Sequence, residues 1–159
     1  MAEVPVFAAF VAAPEIDERF VLPGLGIEQR LKIPAAATGG QLCLVEQICD
    51  PGKGPPRHVH KTQTEILRIL EGRFELEIDG APIPAPAGTV AVIPPGRPHA
   101  FVNRSDGPGR VLFLLVPGSD LAAFFRRLRE LLAEGPVDPE RLNRELAAFD
   151  FAITGPPMA

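Results

Sequence analysis

All three histidines of this 159-residue chain lie in two short segments, and their spacing suits metal binding. His58 and His60 are two residues apart, so a β-strand would point both imidazoles to one face, about 7 Å apart at the backbone. Glu65 follows five positions later, and the polar run 61–64 must turn the chain before this carboxylate can face the same centre. His99, after a Pro-Gly-x-Pro turn, would supply a fourth ligand.

Three imidazoles and one carboxylate narrow the choice of ion. Such a set suits one divalent transition metal, namely Fe, Mn, Ni, Cu or Zn, whereas calcium and magnesium prefer oxygen ligands. A His-x-His pair alone is a weak signal, because two histidines in a strand are more often ordinary structural residues. Spacing therefore leaves both interpretations open.

Short apolar stretches bounded by Gly, Pro, Asn or Asp indicate the strands that would position these side chains. Residues 73–79 alternate charged and apolar side chains, the period of two expected of a sheet with one buried face. The spacing leaves no room for crossover helices, so the sheets should be antiparallel and form a jelly roll. The predicted strands are 27–33, 42–49, 57–61, 65–70, 73–79, 89–93, 99–104 and 110–116.

After residue 117 the pattern changes to a helical period. Apolar side chains follow one stripe over 121–132, with Ser119 as the predicted N-cap and Gly135-Pro136 as the stop. A second helix is predicted over about 138–149. We expect these amphipathic helices to pack as a lid on the outside of the barrel rather than to form a cofactor or partner groove.

The two histidine segments resemble the two sequence motifs of the cupin family. The first has Gly52, five residues, His58-x-His60, four residues, Glu65, six residues and Gly72; the second has Gly88, five residues, Pro94-x-Gly96, two residues, His99, three residues and Asn103. All ten template positions match. The helical tail is also similar to that of single-domain, quercetin dioxygenase-like cupins.

This resemblance implies a mainly all-β fold, a double-stranded β-helix or jelly-roll cupin barrel with two C-terminal α-helices. It implies a single domain over 1–159, with a barrel core at about 27–116 and a helical tail at about 119–159. It also implies that one divalent metal is held by His58, His60, Glu65 and His99, often in a homodimer.

Strand parity extends the prediction to a substrate pocket. If Glu65 points into the barrel, every second residue after it on that strand does too, and the same holds for His99. The resulting pocket is largely apolar and comprises Leu67, Ile69, Phe74, Leu76, Ile78, Phe101 and Asn103. Asn103 is equally well explained as a polar contact near the metal or as a strand-end residue that closes a turn. Ile66 and Leu70 point outward and need cover, from the tail or from a second subunit.

Acid–base groups other than these four residues are scarce, since the chain has no tyrosine or tryptophan. Sugar epimerisation, which needs a free base and acid, is disfavoured. A sugar-phosphate isomerase would need basic residues inside, whereas parity points Arg57 and Arg68 outward. Glu65 remains as the candidate catalytic base for an oxidoreductase, a metal-dependent dioxygenase acting on a small aromatic or enolic compound. The alternative is a non-catalytic barrel that binds or senses a small molecule.

Composition limits the partners. The net charge is −4 and no long basic stretch occurs, so neither nucleic acid nor an anionic membrane is an expected partner. No run of 18 apolar residues exists and Glu3 stands where a signal peptide carries basic residues, so we expect a cytoplasmic protein. Cys43 and Cys49 lie about 20 Å apart in one predicted strand and cannot pair there, which predicts two buried free thiols.

Overall fold

The computed structural model describes residues 7–15, 17–136 and 138–159. Within this part of the chain it contains eleven strands, two α-helices and two short 3-10 helices. In chain order these are β1 (Glu18–Leu22), β2 (Ile27–Ile33), a 3-10 helix (Ala35–Thr38), β3 (Cys43–Cys49), β4 (Pro56–His60), β5 (Thr64–Glu71), β6 (Arg73–Ile78), β7 (Ala81–Pro86), β8 (Val90–Ile93), β9 (His99–Asn103), β10 (Gly109–Val116), α1 (Leu121–Ala133), α2 (Pro139–Glu145), a second 3-10 helix (Ala147–Phe149) and β11 (Phe151–Pro157).

The strands form two antiparallel sheets. One has the order β1-β2-β3-β10-β5-β8 and the other β11-β4-β9-β6-β7. Neighbours such as β3, β10 and β5 are distant in sequence, which is the connectivity of a jelly roll rather than of a meander. The mainly all-β, jelly-roll fold class with two C-terminal helices is therefore confirmed.

The predicted strands all occur, with each end within one residue of its predicted position. Sequence analysis missed β1, β7 and β11, and each of these is an edge strand. Proline is tolerated at a sheet edge, where a missing N–H leaves no neighbour unpaired, so the prolines of β7 and β11 concealed these strands. Strands β1 and β11 thus extend the sheets beyond both sequence ends of the predicted barrel core, residues 27–116.

Two predictions about the C-terminal helices are wrong. Ser119 is not the N-cap of α1, because the side chain of Asp120 accepts the hydrogen bond from the Ala123 N–H (3.0 Å). The second predicted helix ends at Glu145, and β11 begins soon after it.

Helix α1 packs against β1 and β2. The Phe125 ring lies 5.4 Å from that of Phe20, and the Phe124 ring lies 5.1 Å from that of Phe151 on β11. The apolar stripe thus closes one end of the space between the sheets instead of lying on the outer surface. The helix is a wall of the interior, which the prediction of an outer lid did not anticipate.

Two further expectations concern the cysteines and the membrane. Cys43 and Cys49 both lie on β3, fully buried and free, as the sequence predicts. In the described ranges no helix has the length and apolar character needed to span a bilayer.

Candidate metal centre

The structure brings His58, His60, Glu65 and His99 together. His58 and His60 are on β4, and His58 lies opposite His99 of β9 in the same sheet. Glu65 comes from β5 of the facing sheet. The four donor atoms lie within 4.8 Å of one another, and the residues are between 2% and 9% exposed.

The turn between His60 and Glu65 is held by a residue that sequence analysis missed. The Asp150 carboxylate accepts hydrogen bonds from the backbone N–H groups of Thr62 (2.9 Å) and Gln63 (3.0 Å). The Gln63 side chain donates to the carbonyl oxygen of Pro117 (2.8 Å). The predicted turn is therefore present, and it is fixed from the C-terminal part of the chain, 85 residues beyond Glu65.

The centre is a compact polar cluster around one carboxylate oxygen. Glu65 Oε2 lies 2.7 Å from Nε2 of His99 and 3.3 Å from Nε2 of His60. Nδ1 of His58 donates to the Pro56 carbonyl and Nδ1 of His99 to the Arg97 carbonyl, each at 2.8 Å. Since a carbonyl only accepts, these bonds put the proton on Nδ1 and direct the Nε2 lone pair of a neutral ring toward the centre.

Burial and neighbouring charges set the protonation of the centre. Burial, together with His99, lowers the pKa of His58 to about 3, so this ring is neutral at physiological pH. Burial would raise the pKa of Glu65, but hydrogen bonds with His60 and His99 outweigh it and hold that pKa below its ordinary value. Burial lowers the pKa of His99, yet the bond to the Glu65 carboxylate more than offsets this and raises it overall. Glu65 is thus an ionised carboxylate in a nearly water-free setting.

These donors fit a transition-metal ion. If His99 is neutral, its Nε2 lone pair faces an ionised carboxylate oxygen at 2.7 Å, and only a shared proton or a cation between the two atoms makes that approach favourable. Separations near 3 Å are also those of ligands that share a metal at bond lengths of about 2.0–2.2 Å. The carbonyl bonds at Nδ1 of His58 and His99 are the outer contacts that orient metal-binding imidazoles.

A cavity of about 90 Å³ adjoins the cluster. His58, His60 and Glu65 border it on one side. The remaining wall is mainly apolar and includes Leu115, Phe113, Phe124 and Phe151. The centre therefore opens onto a small, mainly apolar cavity.

The seven predicted pocket residues do not all border the cavity. Phe101 borders the cavity. The residues in the hydrophobic core or packed against it, away from the cavity wall, are Leu67, Ile69, Phe74, Leu76 and Ile78. Asn103 has the second of its two proposed roles, since its amide donates to the carbonyls of Cys49 (3.0 Å) and Gly107 (2.8 Å), which closes a turn.

Sequence analysis missed several residues that border the cavity. Phe151 packs 5.0 Å from the His58 ring, from a strand that was not predicted. Gln29 and Gln47 lie on the same buried faces of β2 and β3 as the apolar residues two positions before and after them. Their parity was a readable signal, because a polar side chain on the inner face of a strand is uncommon without a partner.

Comparison with known proteins gives matches to one family. A family model described as "Cupin domain" matches residues 45–115. "Polyketide synthase CurC" of Streptomyces cyaneus is 33% identical over 85 residues, 54% of this chain and 54% of that protein, so the match spans about half of the relative. "Quercetin 2,3-dioxygenase" of Bacillus subtilis is 42% identical over 56 residues, 34% of this chain and 17% of that protein. A crystal structure of a sugar phosphate isomerase "from a cupin superfamily", from Silicibacter pomeroyi DSS-3, has 28% identity and a TM-score of 0.57, covering 67% of this chain and 74% of that one.

Proposed function

The chain belongs to the cupin superfamily, and from this we propose that it is a metal-dependent dioxygenase acting on a small aromatic or enolic compound. The main support for this proposal is a buried cluster of three histidines and one carboxylate that opens onto a mainly apolar cavity. His58, His60, Glu65 and His99 would hold one divalent transition metal, with Fe, Mn, Ni, Cu and Zn as candidates. Such an ion supplies Lewis acidity toward an enolic oxygen and, when redox active, access to O2 chemistry.

Glu65 would accept the proton of the substrate's enol or phenol. Its pKa is held below the ordinary value, so the carboxylate is ionised when the substrate arrives. No other carboxylate borders the cavity among the described residues. Both atoms of O2 enter the organic product, so the reaction needs no external reductant, and Glu65 returns its proton to that product.

The cavity wall supports an uncharged, flat substrate. Its aromatic and aliphatic side chains exclude water, which strengthens the polar contacts made at the histidine end. The volume of about 90 Å³ is well below the roughly 300–1,000 Å³ of pockets for drug-sized ligands, which favours a single-ring compound. The names of two relatives, a quercetin dioxygenase and a polyketide synthase, refer to oxygen-rich compounds and agree with the enolic character of the substrate, not with its size.

A sugar phosphate is a poorer fit than an enolic compound. No lysine or arginine borders the cavity among the described residues, so nothing there pairs with a phosphate. Arg57, which precedes His58 in sequence, binds Glu77 in a two-point ion pair (2.5 and 2.8 Å). The likeness to the sugar phosphate isomerase therefore supports the barrel rather than that reaction.

Oxygen uptake tests the proposal. The chain loaded separately with Fe(II), Mn(II) and Ni(II) is expected to consume O2 with at least one member of a panel of β-diketones, hydroxypyranones and flavonols, and isotopic ¹⁸O2 should label the product twice. Metal-free protein is the control. Tight binding of a panel member without any O2 uptake would contradict the proposal and support the alternative, a non-catalytic binding or sensing barrel.

A homodimer and a cytoplasmic location belong to the same proposal. Val90 and Val92 on edge strand β8 are 58% and 61% exposed, and Ile66, opposite Val92, extends this apolar surface. A second copy of the chain would cover it. The two free cysteines agree with a reducing compartment.

Light scattering should give about twice the chain mass of 17.1 kDa. Val92→Lys is expected to yield a monomer, because an ammonium group at the centre of this surface loses its water on association. Val21→Lys, at a valine of edge strand β1 that is 62% exposed, is the matched control and should leave the dimer intact. A monomeric native chain, or a Val92→Lys variant that still dimerises, would contradict the assignment.

A further inference from the structure

Two glutamines form the only side-chain amide pair that borders the cavity among the described residues. Gln29 of β2 lies directly opposite Gln47 of β3 in the strand register. They are 5% and 2% exposed, on the faces that β2 and β3 turn toward the interior. The function proposed above gives them no role.

One oxygen of this pair lacks a partner. Gln29 Nε2 donates to Gln47 Oε1 (2.7 Å), and Gln47 Nε2 donates to the sulfur of Cys49 (3.1 Å). Gln29 Oε1 is buried and accepts no hydrogen bond. Buried carbonyl oxygens are nearly always paired, so an unpaired one beside a cavity indicates a hydrogen-bond donor that arrives with a ligand.

The pair lies at the end of the cavity away from the metal cluster. Glu65 is opposite Leu115 on β10, Leu115 is opposite Cys43 on β3, and Gln47 is four residues farther along β3. Four residues of strand correspond to about 13 Å. Leu115 and Phe113 border the cavity between the two polar ends. A ligand in the cavity would thus be held at its ends by polar groups and along its middle by apolar ones.

We propose that Gln29 is a substrate-binding residue whose side-chain oxygen accepts a hydrogen bond from a hydroxyl group at the end of the ligand remote from the metal cluster. The inference rests on the proposed function and narrows its substrate class to a single-ring enolic compound with a second hydroxyl group. The hydrogen bond that Gln29 Nε2 donates to Gln47 fixes the orientation of the planar amide, so Oε1 is held as a preorganised acceptor on the other side of that group. The hydroxyl-bearing compound would be preferred because its analogue leaves this oxygen unpaired.

Two hydroxypyranones that differ in one group provide the test. Kojic acid carries a hydroxymethyl group where allomaltol carries a methyl group, and both have the same enolone at the other end of the ring. Calorimetric titration of the Zn(II)-loaded protein, which carries no redox-active metal, should give a dissociation constant about 5- to 10-fold lower for kojic acid, the effect of one net hydrogen bond. In Gln29→Leu this ratio should fall to below about twofold, and a melting curve establishes that the variant is folded.

The methyl ether of kojic acid separates a donor from an acceptor. This ether is methylated at the hydroxymethyl group and keeps the enolic hydroxyl, so its remote oxygen carries no proton and the compound should bind as weakly as allomaltol. Binding of the ether as tight as that of kojic acid would overturn the assignment of Gln29 as an acceptor.

The outcomes distinguish this inference from the proposed function. Equal affinities of native protein for kojic acid and allomaltol overturn the role of Gln29 and leave the enolic substrate class standing, and this comparison does not depend on the variant folding. Failure of both compounds to bind protein that holds Zn(II) overturns the enolic substrate class as well. A preference for kojic acid that persists in folded Gln29→Leu overturns the role of Gln29 alone.

Discussion

Glu65→Gln is expected to lower the affinity for a divalent transition metal at least about 100-fold, because changes to the outer contacts of metal ligands alone cost 10- to 100-fold. Glu65 supplies the only negative charge among the four clustered side chains, and its Oε2 lies 2.7 Å from His99 and 3.3 Å from His60. Glutamine has nearly the same shape but no charge to balance a divalent ion in a buried setting. Equilibrium dialysis at fixed free metal, followed by elemental analysis, measures the loss.

Glu71→Gln is the matched control for this experiment. Glu71 is on the same strand, β5, and its exposed side chain forms a surface ion pair with Arg110 (2.9 Å). The same substitution there should leave metal content at the native level, since Glu71 is at the opposite end of β5 from Glu65, six residues along the strand. Full metal occupancy in Glu65→Gln would contradict the assignment of Glu65 as a ligand.

Gly54→Ala is expected to destabilise the chain by about 3 kcal/mol or more, at the upper end of what overpacking costs. A Cβ atom at Gly54 would overlap the backbone carbonyl oxygen of Phe101 and lie 2.8 Å from its carbonyl carbon. Backbone of a central strand cannot move aside as a flexible side chain would. Gly54 lies between the turn at Gly52, whose N–H donates to the Asn103 carbonyl (2.8 Å), and strand β4.

The effect should reach the metal cluster, because the crowded strand β9 carries His99 and the loop leads into His58 and His60. Urea denaturation measures the stability, and metal content of the folded fraction measures the site. Gly107→Ala is the control, since a Cβ there meets no atom within 4 Å and the backbone is not in the left-handed region. That variant should stay within about 0.5 kcal/mol of the native chain. Equal stability of the two variants would show that β9 yields more easily than close packing allows.

The meeting of His58, His60, Glu65 and His99 was the part of the molecule that the sequence predicted best. Short-range parity placed His58 and His60 on one face, and the polar run after them required a turn. The turn itself was predictable, but the group that holds it was not, because the spacing of residues 61–64 carries no information about Asp150. Its partner lies across the fold, and only the tertiary structure brings the two together.

The cavity wall was predicted less well, for a different physical reason. Parity tells which face of a strand turns inward, but a jelly-roll interior is deep enough to contain both a packed core and a cavity. Leu67 and Ile69 point inward as predicted and fill the core, whereas α1 and β2 close the chamber. Helix α1 was recognised from its apolar stripe, yet the stripe does not specify which surface it covers.

The bonds from Asp150 to the turn after His60 have a thermodynamic consequence. If the cluster holds a cation, as proposed, binding of that cation would be coupled to ordering of the C-terminal strand. By reciprocity, a change that disorders this strand would lower the affinity for the cation. Residues 150–157 would thus influence cation affinity although none of them belongs to the four-residue cluster.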